Sequence, residues 1–177
     1  MRYSLTIFVG IIAVVVLGLS GYSYWLYKDI RHQNKVIVED SLVDFSNLLA
    51  SYLSSQIKYE QLNTIDFNKA FKNLKSMDFQ ASIFGVAKNK SSINFYITDE
   101  RGVVIYDSQS KDTVGKDFSK WNDVLRTLKG EYGARSTRAD ASDPLSSVLY
   151  VAAPIQYENR VIGVISVSKS EESLSVY

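Results

Sequence analysis

The feature that most constrains this chain is Tyr3–Tyr27, a run of 25 residues without a charged side chain that passes through the apolar block Ile7–Leu17. A helix rising about 1.5 Å per residue crosses a hydrocarbon core of about 30 Å with about 20 apolar residues, so the run spans with length to spare. It closes on Tyr22, Tyr24, Trp25 and Tyr27, whose rings suit the headgroup layer. The reading is a transmembrane anchor over residues 1–28. A cleaved signal peptide is the alternative, because Gly18-Leu19-Ser20 could pass for a cleavage site, although the apolar run continues beyond it. Basic residues do not orient the anchor: Arg2 lies on one side and Lys28, Arg31 and Lys35 on the other.

The remaining residues suit one ordinary domain. Arg2 apart, the chain carries 19 basic and 19 acidic residues, a neutral balance that argues against nucleic acid as a partner. There is no cysteine, which excludes disulfides and thiolate chemistry. The domain must stand on its apolar core, and 12 tyrosines and 8 phenylalanines supply much of it.

Asp29–Ile57 contains no Gly or Pro and reads as one long amphipathic helix. Val38, Leu42, Phe45, Leu49 and Tyr52 form one apolar row, and Val43, Ser46, Ala50, Leu53 and Ile57 a second beside it. Two rows are too wide for one contact. We therefore expect residues 29–59 to pack on their own domain and, in part, on a second copy as a parallel homodimer. Packing within the monomer alone is the other reading. Glu60–Phe79 reads as a short helix started by Asp66. Ile93–Thr98 and Val103–Ser108 flank an Asp99-Glu100-Arg101-Gly102 turn and predict a hairpin. Ser119–Lys129 is helical, with Trp121, Val124, Leu125 and Leu128 on one face and Gly130 as the stop. Tyr132–Arg138, Val148–Ile155 and Val161–Ser168 follow as strands. The class is α+β, with a five-stranded antiparallel sheet and helices on one side.

A family resemblance then emerges at two levels. Ile97–Ser108 followed by Val114–Asp117 is similar to the central segment of extracytoplasmic PAS-like, or single Cache, sensor domains. Ser119–Val124, Gly130–Thr137 and Ser147–Ile155 resemble, more narrowly, the input domain of CreC-type sensor histidine kinases of two-component systems. The match covers about Asn94–Ser168. It implies a sensor domain over residues 60–170, with residues 171–177 beginning a segment that returns to a second membrane helix. Together with the anchor it implies a bacterial inner membrane location with residues 28–177 in the periplasm. A full-length member would continue into a kinase that autophosphorylates on histidine, and only that part would meet a response regulator. None of its catalytic motifs can be placed here, and no cofactor is implied. A chemoreceptor or cyclase with the same sensor domain is a competing reading. So is a type IV pilin-like subunit, although no acidic residue precedes Asp29.

Among single residues, His32 matches no family motif and is assigned no role. Asp140 and Asp143 lack the ligand spacing of a calcium loop, so no metal is expected. Arg135 stands between small residues Gly133, Ala134, Ser136 and Thr137 in a strand, where a guanidinium could meet a carboxylate or phosphate with two parallel hydrogen bonds. Trp121 and Tyr150 could wall such a site, giving Trp121, Arg135, Thr137 and Tyr150 as candidate ligand-binding residues for a small anion. The alternative is a structural Arg135, paired at the surface with Asp123 or Glu131.

Overall fold

The computed structural model describes residues 2–57, 62, 66–69, 71, 80–83, 85–89, 91–138, 140–143 and 146–170. It divides into two units, Met1–Asp40 and Ser41–Tyr177. The expectations for Glu60, Ala70, Leu74 and residues 171–177 lie outside the described residues.

Helix α1 runs from Arg2 to Gln56, so the anchor and the amphipathic segment share one helix without a break. In the first unit its apolar side chains from Ile7 to Ile37 are exposed, and the helix is long and apolar enough to cross a membrane. In the second unit α1 shows one buried row, Leu42, Ser46, Ala50, Leu53, followed by Ile57 just past its end. Leu42 comes from the first expected row and the rest from the second; Val43, Phe45 and Leu49 are only partly covered, and Tyr52 is exposed.

The second unit is built on a five-stranded antiparallel sheet and a small hairpin. The hairpin pairs β1 (Ala81–Ile83) with β2 (Val86–Lys88), a feature the sequence reading did not foresee. The sheet contains β3 (Ile93–Asp99), β4 (Val104–Asp107), β5 (Gly133–Arg138), β6 (Ser147–Tyr157) and β7 (Arg160–Ser170) in the order β4-β3-β7-β6-β5. All five expected strands are present. The β3–β4 turn is held by Asp99, whose Oδ1 accepts from the backbone N–H groups of Arg101 and Val103, both at 2.9 Å. β6 and β7 are joined by a tighter turn than expected: Glu158 and Asn159, both at positive φ, connect Tyr157 to its partner Arg160.

Residues opposite one another in an antiparallel ladder share a face, so the registers assign every side chain. One face carries Phe95, Ile97, Val151, Ala153, Ile155, Ile165 and Val167, all buried. At its β4 edge Phe95 and Tyr106 meet Phe71, while Phe67 stacks on Phe71; residues 67–69 and 71 are helical and Asp66 Oδ1 accepts from Lys69 N–H, as a cap should. On α1, Ser54 Oγ accepts from the backbone N–H of Gln156 at 2.9 Å, tying the helix to the β6–β7 turn. The other face carries helix α2 (Asn122–Leu128), so helical segments lie on both faces of the sheet and not on one as expected. Gly130, at φ 78, follows the end of α2 and donates to Thr127 O.

Candidate functional site

Two cross-strand rows form the floor of the site. Gly133, Ala152, Ser166 and Tyr96 lie side by side across β5, β6, β7 and β3; one step along lie Arg135, Tyr150, Ser168 and Asn94. Gly133 has no side chain where α2 presses closest. A Cβ there would stand 2.2 Å from Asp123 O and 2.3 Å from Thr127 Oγ1. The missing side chain thus lets α2 seat directly on the sheet.

The face that α2 buries differs from the expected one. Asp123, Val124 and Thr127 are buried, whereas Trp121 and Leu125 stay about a third exposed. The reason lies beneath it: the floor offers a tyrosine and a serine hydroxyl, and Asp123 satisfies both. Its Oδ2 accepts from Ser166 Oγ at 2.8 Å and from Tyr96 Oη in a short hydrogen bond, and its Oδ1 accepts from Arg135 Nε at 2.9 Å. A buried carboxylate with three donors avoids the cost of a desolvated charge.

Arg135 is held on both sides. Its guanidinium lies 4.0 Å from the Trp121 ring centre and 3.9 Å from that of Tyr150, with Asp123 at its Nε edge. Burial opposes its charge, but the Asp123 carboxylate outweighs this and holds the guanidinium pKa above its ordinary value. The structural alternative is half met: Arg135 does pair with Asp123, yet in the interior, with only 14% of its side chain exposed. Its Nη2 is buried with no hydrogen-bond partner among the described residues. Burial also raises the Tyr96 hydroxyl pKa, helped by the charge of Asp123 and the hydrogen bond to it.

Of the four residues picked from sequence, Trp121, Arg135 and Tyr150 come together. Thr137, two residues along β5 on the same face, lies instead in an adjoining cavity of about 260 Å³ that Tyr150 also lines. Sequence reasoning missed Tyr96 and Ser166, and it named Asp123 only as a surface partner of Arg135 and Gly133 only as a small neighbour. A signal for part of this existed: Ser166, Ser168 and Ser170 alternate through the second half of β7, marking a polar face. Chemically the site is suited to recognition. A fixed cation between two rings can offer N–H donors to an oxygen ligand. Among the described residues, no group of His, Asp and Glu is arranged to hold a metal ion.

No protein-family model matches the chain. It is 35% identical over 175 residues to the sensor protein CreC of Escherichia coli (strain K12), an alignment covering 99% of this chain and 37% of that protein. The chain therefore spans little more than a third of that relative's length. Among solved structures it is similar to an extracellular ligand binding receptor from Desulfohalobium retbaense DSM5692, with a TM-score of 0.50 and 14% identity over 83% of this chain and 25% of that one. The sensor domain of the V. cholerae histidine kinase DctB gives a TM-score of 0.46 and 17% identity, over 82% and 56% of the two chains. The resemblance to CreC-type sensor proteins, read from three blocks of sequence, thus extends over nearly the whole of this chain, on an α+β fold similar to part of an extracellular ligand binding receptor.

Proposed function

We propose that the chain is the membrane-anchored signal-input module of a two-component sensor histidine kinase. Residues 1–28 are the anchor, 29–59 a dimerisation helix, 60–170 the PAS-like, single Cache sensor domain, and 171–177 the start of the return to the bilayer. The module sits in a bacterial inner membrane with residues 28–177 in the periplasm. Autophosphorylation and contact with a response regulator belong to a kinase part outside these residues. Similarity to a sensor protein over 99% of the chain supports this assignment. A reporter fused after Tyr177 should be active only in the periplasm; cytoplasmic activity would overturn the topology.

The sensor domain takes a small anion at Trp121, Arg135, Thr137 and Tyr150. One observation carries this: Arg135 Nη2 is buried beside two aromatic walls with no partner among the described residues, so an incoming oxygen would satisfy a donor that is costly to leave unpaired. The test is a thermal-melting screen of the full chain in lipid nanodiscs against small carboxylates, phosphates and sugar acids. A hit should raise the midpoint, Arg135→Ala should abolish the rise, and Arg135→Lys should restore it only in part, since an ammonium lacks the planar fork. An unchanged response in Arg135→Ala removes the site. A ligand that prefers one state tenfold shifts the balance by about 1.4 kcal/mol, enough to alter a balanced equilibrium.

The homodimer forms through the partly covered side of α1, where Phe45 and Leu49 are half-buried and Tyr52 is exposed. Anchoring in one bilayer brings two such helices together in parallel. Single cysteines from Val38 to Tyr52 should crosslink with a period near 3.5 residues. Uniform or absent crosslinking favours the monomer.

A further inference from the structure

We infer that Tyr96 and Ser166 are positioning residues for the ligand site: by holding Oδ2 of Asp123 they keep that carboxylate from closing on Arg135 Nη2, whose donors stay available to an anion. The inference rests on the anion reading of Arg135 and assigns the two hydroxyl groups that prepare it.

Nε–H and one N–H of Nη2 lie parallel on one edge of a guanidinium, an edge that a carboxylate can take with two hydrogen bonds. Asp99 fills that edge of Arg101: its Oδ2 accepts from Nε at 3.0 Å and from Nη2 at 2.9 Å. Asp123 leaves the same edge of Arg135 half used. Its Oδ1 accepts from Nε at 2.9 Å, while Nη2 is buried with no hydrogen-bond partner among the described residues. The difference lies in the other oxygen. Oδ2 accepts from Ser166 Oγ at 2.8 Å and from Tyr96 Oη, two hydroxyl groups side by side in one cross-strand row, whereas Arg135 belongs to the next row. Two residues along a strand span about 6.6 Å, so a carboxylate tethered to the first row by one oxygen reaches toward the second with the other alone. Tyr96, Ser166 and Asp123 are all buried, which keeps water from competing for that tether. Stability alone would be better met by the two-bond pair, which leaves no buried donor unpaired.

The test compares Tyr96→Phe, Ser166→Ala and the double variant as full chains in lipid nanodiscs, with acetate and inorganic phosphate as probes. Calorimetry reads affinity. Solid-state NMR reads the dipolar coupling between aspartate carboxyl carbons and terminal guanidinium nitrogens, in an Arg101→Gln background that removes the Asp99 pair. In the double variant Asp123 should close on Nη2, strengthening the coupling and weakening anion binding about tenfold. One remaining hydroxyl still holds Oδ2, so each single variant should show a smaller rise in coupling, and the loss in the double should exceed the product of the single losses. Unchanged coupling in the double variant, or in both single variants if the double does not fold, overturns the inference and leaves the anion reading standing. A stronger coupling with unchanged affinity also overturns it, since the anion is then not held through Nη2. Binding of neither probe to the parent overturns the anion reading, and the positioning role with it.

Discussion

The two faces of the sheet solve the same problem with opposite chemistry. On one, Phe95, Ile97, Val151, Ile155, Ile165 and Val167 are buried through contacts that need no direction. On the other, helix α2 is seated by a charged and hydrogen-bonded set, Asp123 with Tyr96, Ser166 and Arg135, over the gap left by Gly133. An apolar face tolerates small shifts, because attraction is spread over many contacts. A polar one holds a single geometry, because each lost partner leaves a buried group unpaired. The directional face is therefore the one on which a change at Arg135 reaches α2 directly, through the Asp123 carboxylate that accepts from it.

The largest expected effect breaks the polar face. Asp123→Ala leaves a buried guanidinium and a tyrosine hydroxyl without their acceptor and should cost about 3–5 kcal/mol in denaturant unfolding. Adding Arg135→Met should recover part of that loss, since the uncompensated cation goes with it; strict additivity would mean the two residues do not act as a pair. On the apolar face, Ile165→Ala should cost about 2–5 kcal/mol by opening a cavity, without altering the response to ligand. Gly133→Ala tests the seat itself. Its methyl meets Asp123 O and Thr127 Oγ1, so overpacking should cost about 1–3 kcal/mol and weaken ligand binding by displacing α2. A stability unchanged by that substitution would show that α2 can shift freely, against the picture of a fixed seat.

The apolar face was legible in the sequence and most of the polar one was not, for a physical reason. Val148–Ile155 is a continuous apolar run, legible as a buried strand without knowing any partner, and Val151, Ala152, Ala153 and Ile155 are buried. Asp123 is paired with Tyr96, Ser166 and Arg135, which come from three different strands. No local pattern joins them, so a helix periodicity that put Trp121 and Leu125 inward was natural and pointed partly the wrong way. Arg135 could be singled out because it is a long cation among small residues. Its burial depends on a carboxylate 12 positions away that the helix turns toward it. Thr137 was picked as a small neighbour of Arg135; it shares that residue's sheet face, but the cavity it lines is completed by Asn94, Gln109 and Ser168 from other parts of the chain.

The smallest expected effect sharpens the comparison by titration, and it rests on Tyr96. Burial, and after it the charge of Asp123, holds its hydroxyl well above the ordinary tyrosine range. The group is protonated in the native state and its folded pKa exceeds its unfolded value, so the stability it contributes is fully present below the unfolded pKa of about 10. Above that, the unfolded chain releases the proton while the folded chain keeps it, and stability falls as pH rises. Between pH 7 and 9 no dependence on this group should be seen. Tyr96→Phe removes a hydrogen bond to a buried carboxylate and should cost about 1–3 kcal/mol at pH 7. It should also flatten the loss of stability above pH 10 relative to the parent, measured by urea unfolding at a series of pH values. Phe95→Leu, a change to the neighbouring residue on the apolar face, should leave the slope as it is. If Tyr96→Phe shows the parent's alkaline slope, the hydroxyl titrates as in water, and the polar face is more open than its hydrogen bonds to Asp123 require.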